Sequence, residues 1–204
     1  MTGKYLFYII VGYLAGSIQL GYYLPKYFRQ VDVTKVSPDG NPGTANAFKY
    51  GGFLVGLSVL LGDLAKGFLP VRAAVLAGVP MNLSFSMVMA APVLGHACPM
   101  FHLERGGKAI AVSFGVLIGL FPLWTPLWAL VICYLLFSVV IVIQPHLHRS
   151  IVTFVLFSLA AAVSVPVKPI VLGCLLISAI VIWKHTVKYQ GERLEYQVIW
   201  RRKS

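Results

Sequence analysis

Apolar residues run along this chain in long blocks, and the charges, glycines and prolines collect in short segments between them. A hydrocarbon core of about 30 Å needs roughly 20 helical residues, so blocks of that length predict transmembrane helices. They fall near residues 5–26, 51–77, 83–101, 108–122, 124–144, 150–165 and 168–185. The fourth and sixth are short, which gives seven helices, or five full spans with two partial ones. Pro122 and Pro126 mark the turn between the fourth and fifth, and Pro166 and Pro169 the turn between the sixth and seventh. The expected fold is all-α: a polytopic membrane protein built as a seven-helix bundle, with residues 1–204 forming one membrane-embedded domain. The first block follows Met1-Thr2-Gly3-Lys4 without a small-residue cleavage site and reads as a retained span, not a signal peptide.

Composition supports the membrane assignment. The chain is 58% hydrophobic and only 11% charged, against about a quarter charged in soluble domains. The net charge of +11 does not point to nucleic acid, because no recognition motif accompanies it and the cations sit between apolar blocks. Lys26, Arg29, Lys35, Lys49, Arg105, Lys108, Arg149 and the tail with Lys188 and Arg193 fall on one side of the predicted topology. The other side keeps Lys4 and Lys168. Positive residues mark the cytoplasmic face, so the N-terminus is expected outside and these loops inside. Cys98, Cys133 and Cys174 show no metal-ligand spacing.

Four groups of residues on that inner side carry candidate chemistry. Asp39-Gly40-Asn41-Pro42-Gly43-Thr44-Ala45-Asn46, followed by Lys49, can converge backbone N–H groups and amides on a small anion, although Gly-Asn-Pro-Gly alone also makes a tight turn. Arg105-Gly106-Gly107-Lys108 opens a helix, where free N–H groups and the helix dipole favour an anion; a basic cap at a membrane boundary reads the same way. Asp63 and Lys66 lie on one face inside an apolar block, which suits an ion pair with a positioning role. Arg72, on the same helix, is expected to snorkel outward. Lys184 and His185 close the last span and His96 ends the third; an imidazole there can bind phosphate or accept a proton. His146 and His148 stand in a predicted loop with no carboxylate near, so a metal pair is discounted.

These residues resemble the integral-membrane acyl-phosphate:glycerol-3-phosphate acyltransferases of the PlsY type. Gly16-Ser17-Ile18-Gln19-Leu20-Gly21, the 39–46 loop, Asp63-Leu64-Ala65-Lys66-Gly67 and Gly95-His96-Ala97-Cys98-Pro99-Met100-Phe101 with Gly106-Gly107-Lys108 are similar to the family's motifs in order and spacing. The resemblance implies transfer of a fatty acyl group from acyl phosphate to the 1-hydroxyl of glycerol 3-phosphate, giving lysophosphatidic acid for phospholipid synthesis. It implies the bacterial cytoplasmic membrane as location, no metal, no other cofactor, membrane lipids as surroundings and a monomer. Departures are specific. Asp39 stands where the family has Ser, Lys49 where it has Arg, and Ala109 where it has Gly. Glu104 adds a negative charge, and Thr186-Val187-Lys188-Tyr189 replaces a run containing Asn. These mark a divergent member, whose acceptor is glycerol 3-phosphate or a related phosphorylated alcohol.

On this basis Gly106, Gly107 and Lys108 are expected to hold the acyl phosphate. Gly40, Asn41, Gly43, Asn46, Lys49 and Lys184 are expected to hold the acceptor's phosphate. Lys108, His185 and Asp39 are the candidate catalytic groups, with Asp39 orienting a hydroxyl or acting as a base; Asp63, Lys66 and His96 are positioning residues. Acyl phosphate is an activated anhydride, so position and charge suffice. A phosphatidyltransferase using CDP-lipids needs a cage of several aspartates around a metal; the chain has only Asp32, Asp39 and Asp63. None of its five histidines has Asp five residues later, which excludes the acyltransferases with a His-x-x-x-x-Asp pair. The remaining alternative is a non-catalytic paralogue of the same fold that binds lipid or a partner.

Overall fold

A computed structural model of the chain describes residues 2–100, 102, 105–187 and 195–198. Glu104, Lys188, Tyr189 and Arg193 lie outside the described residues. The helices are α1 (Thr2–Ser17), α2 (Leu20–Arg29), α3 (Val33–Val36), α4 (Thr44–Gly51), α5 (Phe53–Leu76), α6 (Leu83–Ala97), α7 (Ile110–Gly119), α8 (Thr125–Leu135), α9 (His146–Ser164) and α10 (Lys168–Thr186). Two short strands, β1 (Ile141–Gln144) and β2 (Glu195–Val198), complete the described elements. Four helical stretches are long and apolar enough to cross a bilayer: Gly3–Arg29, Phe53–Leu76, His146–Ser164 and Lys168–Thr186. Leu83–Ala97, Ile110–Gly119 and Thr125–Val140 are shorter apolar helices. The seven expected blocks are therefore all helical, divided four long and three short.

The chain threads α1 against α6 and α5, α5 against α7, α6 against α10, and α10 against α9, which packs on α8. Lipid tails are as apolar as leucine, so these contacts depend on close backbone approach more than on a hydrophobic drive. Small residues supply it. A Cβ on Gly95 would lie 2.1 Å from the Tyr13 carbonyl oxygen, and one on Gly16 2.1 Å from that of Pro92. Across α5 and α7, a Cβ on Gly67 would meet the Val112 carbonyl oxygen at 2.3 Å and one on Gly115 that of Leu64 at 2.1 Å. Phe85, Met89, Leu117, Phe154, Phe157 and Ile177 fill the buried centre. Leu6, Phe7, Leu61, Leu69, Leu159 and Val163 face outward, as expected of a surface bathed in hydrocarbon.

Three boundaries differ from the sequence expectation. The first block is broken at Ile18 and Gln19, so α1 and α2 are separate helices; Pro25 can donate no N–H to the preceding turn of α2. The fifth block leaves the α conformation at Leu136–Val140, a π-helical turn, and continues as β1. Val139, Val140, Ile141, Val142 and Ile143 are β-branched in succession, which favours extended backbone. β1 pairs antiparallel with β2, Ile141 opposite Val198 and Gln144 opposite Glu195, a two-stranded addition to the expected all-α bundle. Pro145 then caps α9, so His146 and His148 begin a helix where a loop was expected. Arg72 donates to the Phe121 carbonyl (2.5 Å) and stacks over the Phe121 ring (5.1 Å).

Gly95→Val should drive α1 and α6 apart, because the atom it meets is backbone and cannot rotate away. Its loss of stability should be about 1–3 kcal/mol, read as a drop in melting temperature of the detergent-solubilised protein. An unchanged melting temperature would show that this contact does not set the helix spacing.

Candidate functional site

A charged pair organises the end of the bundle where the candidate residues meet. Asp63 and Lys66, one turn apart on α5, bond at 2.9 Å and are only 2% and 6% exposed. Their role extends past each other. Lys66 Nζ donates to the Ile18 carbonyl (2.7 Å), which at the break between α1 and α2 also accepts the Leu20 N–H (3.2 Å). Thr44 Oγ1, in the first turn of α4, donates to Asp63 Oδ2 at 3.5 Å. His96 Nδ1 lies 3.9 Å from Asp63 Oδ1. The His96 carbonyl accepts from Gln19 Nε2 (3.1 Å) and from the Gly107 N–H (3.0 Å). The buried pair thus ties α5 to the break between α1 and α2 and to α4, and the His96 carbonyl ties α6 and the loop before α7 to the same break.

The two glycine loops stand on this base. In the first, Gly40 takes a left-handed φ of 56° and donates to the Ser37 carbonyl. The turn brings Asp39 Oδ1 against the Asn41 N–H (3.2 Å) and Asn46 Nδ2 (2.8 Å), and Asn46 Nδ2 also reaches the Asn41 carbonyl (2.9 Å). Gly43 then caps α4. Close packing holds the turn against the break: a Cβ on Gly21 would lie 1.9 Å from the Pro42 carbonyl oxygen. In the second loop a Cβ on Gly106 would lie 2.7 Å from Lys184 Nζ, and one on Gly107 2.1 Å from His96 Nε2. The Lys184 ammonium and the His96 ring therefore lie directly over bare backbone.

Lys108 joins the loops. Its Nζ bonds Asp39 Oδ2 at 2.8 Å. Burial pulls the half-buried Asp39 carboxyl upward, but the Lys108 ammonium and the Asn46 and Asn41 donors outweigh it and hold the group below its ordinary 3.8. A depressed carboxyl is ionised across the neutral range. Its stabilising contribution is present above the ordinary value and is lost as pH falls through the lower folded one. His185 and His146 both lie within Coulombic reach of Lys108 and Asp39. His185 is buried, and its Nδ1 meets the Val181 carbonyl at 2.8 Å. A carbonyl only accepts, so Nδ1 carries the proton and Nε2 of the neutral ring keeps a lone pair. That nitrogen and Asn41 Oδ1 are buried without a hydrogen-bond partner among the described residues.

The structure thus brings Asp39, Gly40, Asn41, Gly43, Asn46, Gly106, Gly107, Lys108, Lys184 and His185 to one place, with Asp63, Lys66 and His96 beneath. Two expectations change. Lys49 sits in the last turn of α4, exposed, with its Nζ 5.2 Å from the Tyr50 ring centroid, and does not join the cluster. The Gly107 N–H, expected to face an anion, is taken by the His96 carbonyl. Gln19 and Tyr22 were missed. Gln19 anchors His96, and Tyr22 carries the Arg105 guanidinium over its ring (4.2 Å) while its hydroxyl accepts from Lys26 (2.8 Å). Tyr22, Tyr23, Leu24, Lys26, Tyr27 and Arg105 line an open cleft of roughly 670 Å³. The polar Gln19 inside an apolar block was the available signal.

The family model for glycerol-3-phosphate acyltransferase matches residues 6–192. A glycerol-3-phosphate acyltransferase of Coxiella burnetii (strain RSA 493 / Nine Mile phase I) is 32% identical over 192 residues, covering 91% of this chain and 92% of that protein. The one from Methylobacillus flagellatus is 40% identical over 116 residues, 57% of this chain and 58% of its own. Two crystal structures of PlsY (YgiH), an integral membrane glycerol 3-phosphate acyltransferase, are similar at 28% identity. The glycerol 3-phosphate form has a TM-score of 0.77 over 90% of this chain and 88% of that one. The lysophosphatidic acid form has 0.74 over 89% and 87%.

Lys66→Met should destabilise the protein by about 3–5 kcal/mol, because it strands a buried carboxylate. The double variant Lys66→Met with Asp63→Leu should recover part of that loss. Thermal unfolding of the three proteins measures both, and a double variant no better than the single one would deny the coupling. Separately, Ala109 is held at φ 59° at the head of α7. Relieving the left-handed strain, Ala109→Gly should raise stability by about 0.5–1 kcal/mol in the same assay.

Proposed function

Because the chain belongs to the glycerol-3-phosphate acyltransferase family, we propose that this cluster is where an acyl group passes to glycerol 3-phosphate, with acyl phosphate as the donor. The protein is an integral membrane acyltransferase whose product is lysophosphatidic acid. The observation that carries the site assignment is the Lys108–Asp39 bond, which joins the two glycine loops, with Lys184 Nζ packed against Gly106. The site faces the cytoplasm of a bacterial inner membrane, the N-terminus faces outward, and residues 1–204 work as one domain in a monomer. The clustering of cations at the loop side supports that orientation.

Lys108 takes the phosphoryl group of acyl phosphate, and Gly106 and Gly107, packed under Ala97, Lys184 and His96, hold the loop that carries it. The acyl chain lies between helices in the hydrocarbon. The 39–46 loop holds the acceptor, its hydroxyl end toward Asp39, and Lys184 attracts the acceptor's phosphate. The 1-hydroxyl oxygen attacks the acyl carbonyl carbon, the new ester bond forms, and the bond from that carbon to the phosphate oxygen breaks. Inorganic phosphate departs on Lys108 and takes the hydroxyl proton, directly or by way of His185 Nε2. A mixed anhydride is already activated, so orientation and a cation at the leaving group supply the catalysis.

Lys108→Ala should lower acyl transfer from acyl phosphate to glycerol 3-phosphate by about 10²–10³-fold while the melting temperature stays within a few degrees of wild type. Transfer is read with purified protein and labelled acyl phosphate. A folded Lys108→Ala protein with wild-type turnover would remove Lys108 from the mechanism.

A further inference from the structure

The Asp39 carboxylate lies where an anion would lie. Its Oδ1 accepts from the Asn46 amide and the Asn41 N–H, and its Oδ2 from the Lys108 ammonium. An ammonium, a carboxamide and a backbone N–H in a glycine turn are the donors a phosphoryl oxygen would recruit. The Asn41 and Asn46 bonds hold Asp39 in its turn whether or not Lys108 is engaged, so the carboxylate remains beside any group that Lys108 takes up.

Asp39 also changes the charge of the place. Two ammonium groups, Lys108 and Lys184, reach the second glycine loop. One carboxylate at 2.8 Å from the first cancels the charge of that ammonium. A dianion arriving at Lys108 must displace a bonded carboxylate and then sit next to it. Like charges at contact distance in a half-buried site repel strongly. An alcohol hydroxyl, in contrast, is a donor that Asp39 Oδ2 can accept from without charge repulsion.

We propose that Asp39 is the specificity-determining residue of this site: its carboxylate competes with phosphoryl oxygens for Lys108, weakens the binding of dianions there, and selects for the hydroxyl end of a phosphorylated polyol in the acceptor position. This rests on the reading of Lys108 as the phosphoryl anchor. It deepens that reading by stating which end of the acceptor the 39–46 loop takes, and why.

The test uses the full-length protein in detergent, wild type beside Asp39→Ser, Asp39→Asn and Asp39→Glu. Calorimetry reads the affinities for inorganic phosphate and for glycerol 3-phosphate, and acyl transfer is assayed in parallel. Both neutral variants should bind phosphate at least about tenfold tighter than wild type, and Asp39→Glu should not. Their KM for acyl phosphate should fall with the phosphate affinity. Affinity gained on deleting a charge cannot come from a loosened loop, which would only lose binding. Phosphate affinities equal to or weaker than wild type in both neutral variants would overturn the inference. Tighter phosphate binding without acyl transfer in any of the four proteins would leave the role of Asp39 standing and remove the proposed reaction instead.

Discussion

A lysine and an aspartate at membrane depth must satisfy each other, and the rest of this site follows from how they do so. Either group alone would carry a prohibitive desolvation cost. Together at 2.9 Å they still leave donor and acceptor capacity, and the fold uses it. The spare capacity of Lys66 goes to the Ile18 carbonyl, and that bond makes the break between α1 and α2 tolerable. The Ile18 carbonyl keeps only the Leu20 N–H (3.2 Å) from the backbone there, and a carbonyl short of acceptance in hydrocarbon is costly. Asp63 receives the first turn of α4 through Thr44. The pair therefore fixes the two places where the backbone leaves a helix, and the glycine loops are suspended from those places.

Backbone approach is the second requirement, and it explains why glycines recur on both the structural and the chemical faces. Gly16, Gly67, Gly95 and Gly115 let helix axes close until backbone touches backbone. Gly106 and Gly107 do the same for a side chain: Lys184 Nζ and the His96 ring each occupy the volume a Cβ would take. The second pair thus lets a cation and an imidazole pack directly on buried peptide groups, which larger residues would hold apart. Packing and chemistry share one device here, which couples the spacing of α6, α7 and α10 to the geometry of the loop.

The seven helical blocks, the ion pair and the loops were legible because each is forced by a strong local constraint. Charge is intolerable in hydrocarbon unless paired, so Asp63 and Lys66 at a three-residue offset announced their own bond. Resemblance in motif order implied one site for Asp39, Asn41, Lys108 and His185, and the structure links Asp39 directly to Lys108 and to the Asn41 N–H. What escaped was decided by tertiary context. Hydropathy does not see a break in a uniformly apolar run, so Ile18 and Gln19 were read as helix; the bonds that compensate the break come from residues 48 and 77 positions away. The passage into β1 depends on β2, more than fifty residues later. Lys49 was assigned by motif alone, and the helical path of α4 carries it away from the turn it follows in sequence.

The ends of helices complete the electrostatics. α4 and α7 present their N-termini to the cluster, at Gly43 and Ala109, while α6 and α10 present their C-termini, at His96 and Lys184-His185. Positive dipole ends and negative dipole ends therefore meet at one place; Lys184 and Asp39 each oppose the sign of the end they stand at, while Lys108 adds to the positive end of α7. Lys184 stands at the negative end of α10, where a cation is favoured, and Asp39 stands just ahead of the positive end of α4, where a carboxylate is favoured. A site with only cations would have left the α4 terminus and Lys108 as adjacent unbalanced positive charges in the free protein. Asp39 neutralises both at once, which accounts for a carboxylate being stable in a position otherwise built for anions, and it ties resting-state stability to the same charge that an incoming phosphoryl group has to contend with.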